Sequence, residues 1–255
     1  MTTGGDTAHG PVAAGGSLGS DVVPAAIAVI PQPPLLVPEL SGDTAAGTEA
    51  VRAAVREVVA ALAAVAPEWI AVGADPGGRR SVPAGARGTF AGYGRDVPVA
   101  LPGDDGPDEG AELPLPLLVA GWAAAGSGVR SVRGELVAPD APVADCLALG
   151  AELAVCDAGL LVVGDGAAKH TATAPGGFDE RAEAFDAVVA DALDRADPDA
   201  LAGLDPAAAA QLWAAGRAPW QVLAGAAAGR SWSATHRHTG APYGVAYHVA
   251  FWAPS

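Results

Sequence analysis

The fold of this 255-residue chain is decided at its start by residues 24–39, which read Pro24-Ala25-Ala26-Ile27-Ala28-Val29-Ile30-Pro31-Gln32-Pro33-Pro34-Leu35-Leu36-Val37-Pro38-Glu39. The short apolar run 25–30 is typical of a buried strand. Proline fixes its own φ and has no N–H to donate to a neighbouring strand, so the strand must end at Pro31. A stiff loop follows and places the polar side chain of Gln32 at the strand's carboxyl end. In open α/β sheets, ligands usually bind at this edge.

Strands and helices alternate along the rest of the chain. Residues 44–66 carry valine and leucine at helical spacing, which predicts a long amphipathic helix. Alternation of this kind predicts an α/β fold: a single three-layer domain in residues 24–255, with a mostly parallel sheet, helices on both faces and a C-terminal hairpin. Residues 1–23 lack periodicity and are predicted to be a disordered leader. The other predicted strands are 69–73, 97–101, 131–137 and 159–163, with 231–238 and 243–252 in the hairpin. The other predicted helices are 113–125, 142–155, 178–196, 198–215 and 218–227.

The charge of the chain restricts its partners. The formal net charge is −15 and the isoelectric point is near 4.5, so nucleic acids and anionic membranes would be repelled. No apolar run reaches the roughly 18 residues of a membrane span. The first residues show neither the basic region nor the compact apolar segment of a secretory signal. We therefore expect a cytoplasmic protein that binds neither nucleic acid nor membrane.

Three predicted strands are followed by a polar residue in a loop rich in glycine or proline. These residues are Gln32, Asp75 and Asp165. Because the carboxyl ends of parallel strands meet at one edge of a sheet, the three side chains are expected to converge there. They form the main candidate site, although Asp75 and Asp165 can also be explained as residues that cap turns or helices.

Three segments of the chain resemble a known family. The proline-rich loop at 31–39, the stretch 161–170 with 178–186 after it, and the closing residues 241–247 resemble the class III extradiol dioxygenase superfamily, the LigB-like proteins, and within it an alanine-rich bacterial branch. The likeness covers about residues 24–255. It implies a dioxygenase-like oxidoreductase in which two histidines and a glutamate bind ferrous iron, while a further histidine is the acid/base group.

Transferred to this chain, the resemblance leaves the iron site degenerate. Gln32 occupies the slot of the first histidine, the second slot falls near Asp75, and no acidic residue follows Asp205 to supply the glutamate. The acid/base slot falls at Lys169 or His170. An amide is a poor ligand for iron, so the resemblance implies a divergent small-molecule pocket in which Lys169 or His170 transfers protons. The expected pocket residues are Gln32, Asp75, Asp165 and Tyr243.

Two other functions remain open at this point. The pattern Gly164-x-Gly166-x-x-Lys169 matches part of a phosphate-binding loop, in which glycines let the backbone approach an anion and the only lysine of the chain supplies charge. This alternative predicts a phosphate- or nucleotide-binding module. The other alternative is a non-catalytic interaction protein, with Trp213 and Trp220 at an interface between copies of the chain.

The histidines near the C-terminus suggest a replacement metal site. His236 and His238 are two residues apart and share one face of a predicted strand, a spacing that metal sites use. His248 is a candidate third ligand. With His238 opposite Tyr243 in the hairpin, however, His248 pairs with Ser233 and points to the other face. The sequence therefore favours separate surface or half-buried histidines.

Overall fold

The structure, a computed structural model, describes residues 1–2, 24–42, 47–104, 113–154 and 157–255. Residues 3–23 of the expected leader lie outside this part. The strands are β1 (Ile27–Ile30), β2 (Glu68–Ala74), β3 (Arg80–Val82), β4 (Arg87–Thr89), β5 (Pro98–Ala100), β6 (Ser131–Val137), β7 (Gly159–Val163), β8 (Trp232–Gly240) and β9 (Tyr247–Pro254). The helices are α1 (Pro38–Ser41), α2 (Glu49–Val65), α3 (Leu115–Ala124), α4 (Val143–Ala154), α5 (Arg181–Arg195), α6 (Pro198–Ala202), α7 (Pro206–Leu212) and α8 (Arg217–Ala227).

A seven-stranded sheet with the order β3-β6-β2-β7-β1-β9-β8 forms the middle layer. Strands β6, β2, β7 and β1 are parallel, whereas β3, β9 and β8 each run antiparallel to a neighbour. Strands β4 and β5 form a separate antiparallel pair. The sheet confirms the predicted α/β class, and β6 and β7 have the predicted bounds.

Helices cover both faces of the sheet. In β1, Ala28 and Ile30 pack on the side of α2 and α3, while Ile27 and Val29 pack on the side of α4, α5, α6 and α8. All four residues are fully buried, which explains why the strand is a continuous apolar run rather than an alternating one. No helix in the described ranges is long and apolar enough to cross a membrane.

The C-terminal hairpin is confirmed, but its predicted register is wrong. Thr239 pairs with His248, so His248 does not face Ser233 as predicted. The turn spans residues 241–246, longer than the predicted one, and a bulge lies between His236 and His238. A bulge adds a residue to one strand and shifts every pair beyond it. The side chain of His236 lies outside the described residues.

The segment predicted as one helix at 198–215 forms two, α6 and α7. The Asp205 carboxylate accepts hydrogen bonds from the backbone N–H groups of Ala207 and Ala208, which starts a new helix at Pro206. Trp213 follows α7 and is 56% exposed, whereas Trp220 on α8 is fully buried. Trp220 is therefore a core residue. The prediction that places it at a subunit interface is wrong for Trp220.

Candidate functional site

Gln32, Asp75 and Asp165 lie at the same edge of the sheet, because β1, β2 and β7 are parallel neighbours and each residue follows its strand. A direct contact joins two of them. The backbone N–H of Gln32 donates to Oδ1 of Asp165 at 2.8 Å. Pro31 and Pro33 flank Gln32 and restrict the backbone that carries this donor. A hydrogen bond thus joins Gln32 and Asp165 at the carboxyl edge that the sequence predicted.

A cavity of about 520 Å³ opens beside this edge. Its polar lining consists of Gln32, Asp75, Arg80, Thr89 and Tyr93, and leucine and proline side chains around the start of α3 form an apolar wall. The remaining predicted site residues, Asp165, Lys169, His170 and Tyr243, do not line it. The structure therefore separates the predicted site into this cavity and a second group of residues.

The two predicted residues in the cavity have different surroundings. The Asp75 carboxylate accepts from the backbone N–H of Gly77 and pairs with the Arg80 guanidinium at 2.6 Å. Asp75 thus stabilises its own turn. Within the described part of the chain, the Gln32 side-chain oxygen Oε1 is buried and has no hydrogen-bond partner. Burying a carbonyl oxygen without a hydrogen-bond donor costs free energy, so a water molecule or a ligand hydroxyl group that donates to Oε1 would be stabilising.

The second group centres on Asp186, which faces the sheet from α5. Its carboxylate is buried and receives a hydrogen bond from Nε2 of His170 at 2.6 Å. The backbone N–H of Ala167 donates to the same carboxylate at 3.1 Å. Because an ionised carboxylate only accepts, the shared proton of this pair lies on Nε2 of His170.

Gly166 allows the Asp186 carboxylate to lie close to the backbone of the loop after β7. A Cβ at position 166 would lie 2.2 Å from Oδ1 of Asp186 and 2.7 Å from the Cβ of Ala246. Any side chain here would displace the carboxylate. The glycine that the sequence suggested as part of a phosphate-binding loop is therefore explained by the carboxylate packed against it.

His248 contacts Asp186 from the sheet. Its Nε2 lies 3.0 Å from Oδ1 of Asp186, and the side chain is fully buried. On the other side of the ring, Nδ1 lies 3.0 Å from Oγ1 of Thr239. The corrected hairpin register places Thr239 directly opposite His248, which brings these two groups together.

Asp165 lies between the cavity and the Asp186 group. Its pKa is raised from the ordinary 3.8 to about 7; burial is the largest cause, the hydrogen bond from the Gln32 N–H acts in the opposite direction, and the negative charge of Asp186 contributes a smaller rise. The pKa of the buried Tyr247 phenol is also raised, first by burial and then by the charge of Asp165. A carboxyl group that titrates near neutral pH at a strand edge is typical of a functional site.

The other two predicted residues point elsewhere. Nζ of Lys169 lies 5.4 Å from the ring centroid of the exposed Trp213, a cation–π contact at the surface. Tyr243 lies in the hairpin turn, where its hydroxyl would be 2.8 Å from a Cβ placed on Gly47. The structure places neither side chain on the cavity or in contact with Asp186.

The loop from Gly164 to Lys169 uses its amides within the protein. The N–H groups of Gly164, Gly166 and Ala168 donate to the carbonyl oxygens of Ile30, Ala246 and Leu212, and that of Ala167 donates to Asp186. These four donors are not available to a phosphate, and the Asp186 charge would repel one. The phosphate-binding alternative receives no support from this geometry.

The donors at the carboxyl edge do not fit ferrous iron. Gln32 offers an amide oxygen, and Asp75 is engaged by Arg80 and Gly77. Among the residues that the structure describes, no group of three or more His, Cys, Asp or Glu side chains could hold a metal ion. The imidazoles of His170 and His248 turn their Nε2 atoms toward a shared carboxylate rather than toward a common point.

Sequence reasoning did not single out Asp186, nor did it connect His248 with His170. One signal for Asp186 was available. The buried residues of α5 include Ala182, Asp186 and Val189, so a carboxylate lies within the apolar stripe of the helix. Such a residue needs buried donors, which marks it as a site candidate. His248 was considered only as a metal ligand, and its pairing with Thr239 was not predicted because the hairpin register depends on a bulge.

No family model and no curated protein matches the chain. Among solved structures, its fold is similar to the crystal structure of the uncharacterized protein JW3007 from Escherichia coli K12. The TM-score is 0.53 at 12% sequence identity, over 90% of this chain and 99% of that chain. At this identity the likeness shows the fold alone.

Proposed function

We propose that this chain is a divergent relative of the class III extradiol dioxygenases that binds a small molecule at the carboxyl edge of the sheet and transfers a proton through His170. The observation that carries the proposal is the 2.6 Å hydrogen bond between His170 Nε2 and the buried carboxylate of Asp186. An imidazole oriented by a buried carboxylate is a common general acid/base pair.

The pair assigns separate roles to the two ring nitrogens of His170. Nε2 is the donor to Asp186, so Nδ1 of the neutral ring carries the lone pair that can accept a proton. The His170 side chain is 16% exposed, which leaves part of the ring accessible while the carboxylate stays buried. Nδ1 is therefore the atom to which we assign proton transfer.

Gln32 connects the cavity to the loop that carries His170. Its side chain lines the cavity, while its backbone N–H binds Asp165, five residues before His170. The buried Oε1 of Gln32 has no donor among the described residues, which favours a ligand with a hydroxyl group that would donate to it. No step of this proposal passes through iron, because the donors at this edge do not fit that metal.

The proposal is tested with nitrocatechol, a hydroxylated probe whose absorption changes when it loses a phenolic proton. At a pH where the free probe is protonated, wild-type protein is expected to bind it and shift its spectrum to that of the phenolate. The variant His170→Gln should bind the probe without that shift. Lys169→Gln is the matched control and should behave as wild type, because Lys169 packs on Trp213.

Two outcomes would overturn the proposal. One is wild-type protein that does not bind the probe, or binds it without ionisation. The other is an unchanged phenolate spectrum in His170→Gln, which would assign the proton transfer to another group.

A further inference from the structure

We propose that His248 is a positioning residue, which holds the Asp186 carboxylate in the orientation that binds His170. The inference rests on the proposed function, because it assigns a partner to the same proton-transfer pair. His248 is fully buried and cannot itself contact a ligand that enters from solvent. Its effect on the site must therefore pass through Asp186.

The two imidazoles bind different oxygens of one carboxylate. His170 Nε2 contacts Oδ2, and His248 Nε2 contacts Oδ1 at 3.0 Å. With the Ala167 N–H, three donors from two parts of the chain, the loop after β7 and strand β9, fix the carboxylate. Hydrogen bonds to a charged acceptor are among the stronger ones in proteins, so each donor restricts rotation of the group.

The surroundings of His248 fix the orientation of its own ring. Asp186 can only accept, so Nε2 of His248 carries a proton and donates. In the neutral ring, Nδ1 then accepts the hydroxyl proton of Thr239 at 3.0 Å. The Trp220 ring packs edge-on against the imidazole, with 5.7 Å between centroids. Hydrogen bonds at both nitrogens and an aromatic contact thus hold one tautomer in one place.

Removing His248 should therefore loosen His170. Without the donor to Oδ1, the Asp186 carboxylate can rotate away from His170, and the Nε2 proton of His170 becomes accessible to water. This consequence separates a positioning role from simple core packing, since an apolar ring of similar size would preserve packing without supplying the donor.

The experiment measures imidazole N–H protons by NMR in full-length protein labelled with ¹⁵N-histidine. Wild-type protein is expected to show slowly exchanging Nε2 protons for His170 and His248. In His248→Phe, which keeps a ring against Trp220, the His170 proton should exchange about tenfold faster or more. His248→Gln offers an amide N–H at a similar reach and should restore slow exchange. Asp186→Asn removes the charge of the acceptor, and it shows how fast the His170 proton exchanges when that charge is lost.

An unchanged His170 proton in folded His248→Phe would overturn the inference. If that variant does not fold, Thr239→Val is measured instead, because Thr239 is exposed at the edge strand. Faster exchange of both imidazole protons supports the inference, and an unchanged His170 proton contradicts it. These results do not depend on a ligand: failure of wild-type protein to bind nitrocatechol would overturn the proposed function alone.

Discussion

Asp186 is the residue on which the candidate site depends. A buried carboxylate is stable only when donors surround it, and here His170, His248 and the Ala167 N–H supply them. The arrangement also requires the absence of a side chain at Gly166. The geometry of the site thus depends on the glycine at position 166 as well as on the donors that bind the Asp186 carboxylate.

Substituting Gly166→Ala tests this requirement. The added methyl group would overlap Asp186 Oδ1, so we expect the variant to lose about 1–3 kcal/mol of unfolding free energy. It should also lose the ionisation of bound nitrocatechol. Gly92→Ala is the control for stability: the added Cβ would have no atom of the described residues within 4 Å, so this variant should change the free energy of unfolding little. Urea unfolding measures both variants, and equal stability of the two would contradict the steric account.

Asp165 makes stability depend on pH. Its pKa in the folded protein, about 7, lies above the ordinary 3.8, because burial disfavours the charged form. Between these values the folded state binds more protons than the unfolded state, so this group lowers the free energy of unfolding as pH rises. The slope is at most about 1.4 kcal/mol per pH unit, and the effect levels off above the folded pKa.

The variant Asp165→Asn removes this titration while keeping an oxygen that can accept from the Gln32 N–H. We expect the free energy of unfolding of wild type, relative to Asp165→Asn, to decline as pH rises from about 4 to 7. Asp179→Asn is the control. The hydrogen bond from Arg181 lowers the pKa of Asp179, so its ionisation contributes no such decline in this range. Urea unfolding across the pH series measures both, and a flat difference for Asp165→Asn would contradict burial of its charge.

At the scale of elements, α2 holds the proline-rich loop in place. Arg52 is buried, and its guanidinium donates to the carbonyl oxygens of Leu36 at 2.9 Å and Leu35 at 2.7 Å, and to the hydroxyl of Ser41. Proline restricts the shape of the loop, whereas these hydrogen bonds fix its position on the helix. Because the same loop carries Gln32, α2 determines where that side chain meets the cavity.

Replacing Arg52 with Met should leave these carbonyl oxygens without their donor. We expect a loss of about 3 kcal/mol in the free energy of unfolding, because buried acceptors lose charged partners. Arg56→Met on the same helix is the matched control. Its guanidinium is 63% exposed and pairs with the exposed Glu49, so little change is expected. Urea unfolding of the two variants compares them, and similar losses would show that the loop does not depend on Arg52.

The strands of the C-terminal hairpin were predictable from the sequence, whereas their register was not. Strand propensity and the Gly240-to-Pro242 turn signal identified both strands. The register, however, depends on a bulge and on turn length, and neither has a local sequence signal here. The error paired His248 with Ser233 instead of Thr239, so the contact between the His248 ring and the Thr239 hydroxyl was not predicted.

For the whole molecule, the fold class was predictable because it rests on short apolar runs bounded by proline and glycine. The ends of β1 and β7 placed Gln32 and Asp165 at one edge, and the structure joins them by a hydrogen bond. The Asp186 group was not predictable in the same way, since it brings together α5, β9 and the loop after β7. Only the tertiary packing of α5 on the sheet creates that juxtaposition.

The central proposal is that the His170–Asp186 pair transfers a proton and that the donors at the carboxyl edge of the sheet do not fit ferrous iron. The most direct test loads purified full-length protein with ferrous iron under anaerobic conditions, removes unbound metal, and measures iron content and oxygen uptake with catechol. The account predicts iron far below one ion per chain and no oxygen uptake that depends on catechol. One iron per chain together with oxygen uptake would contradict it.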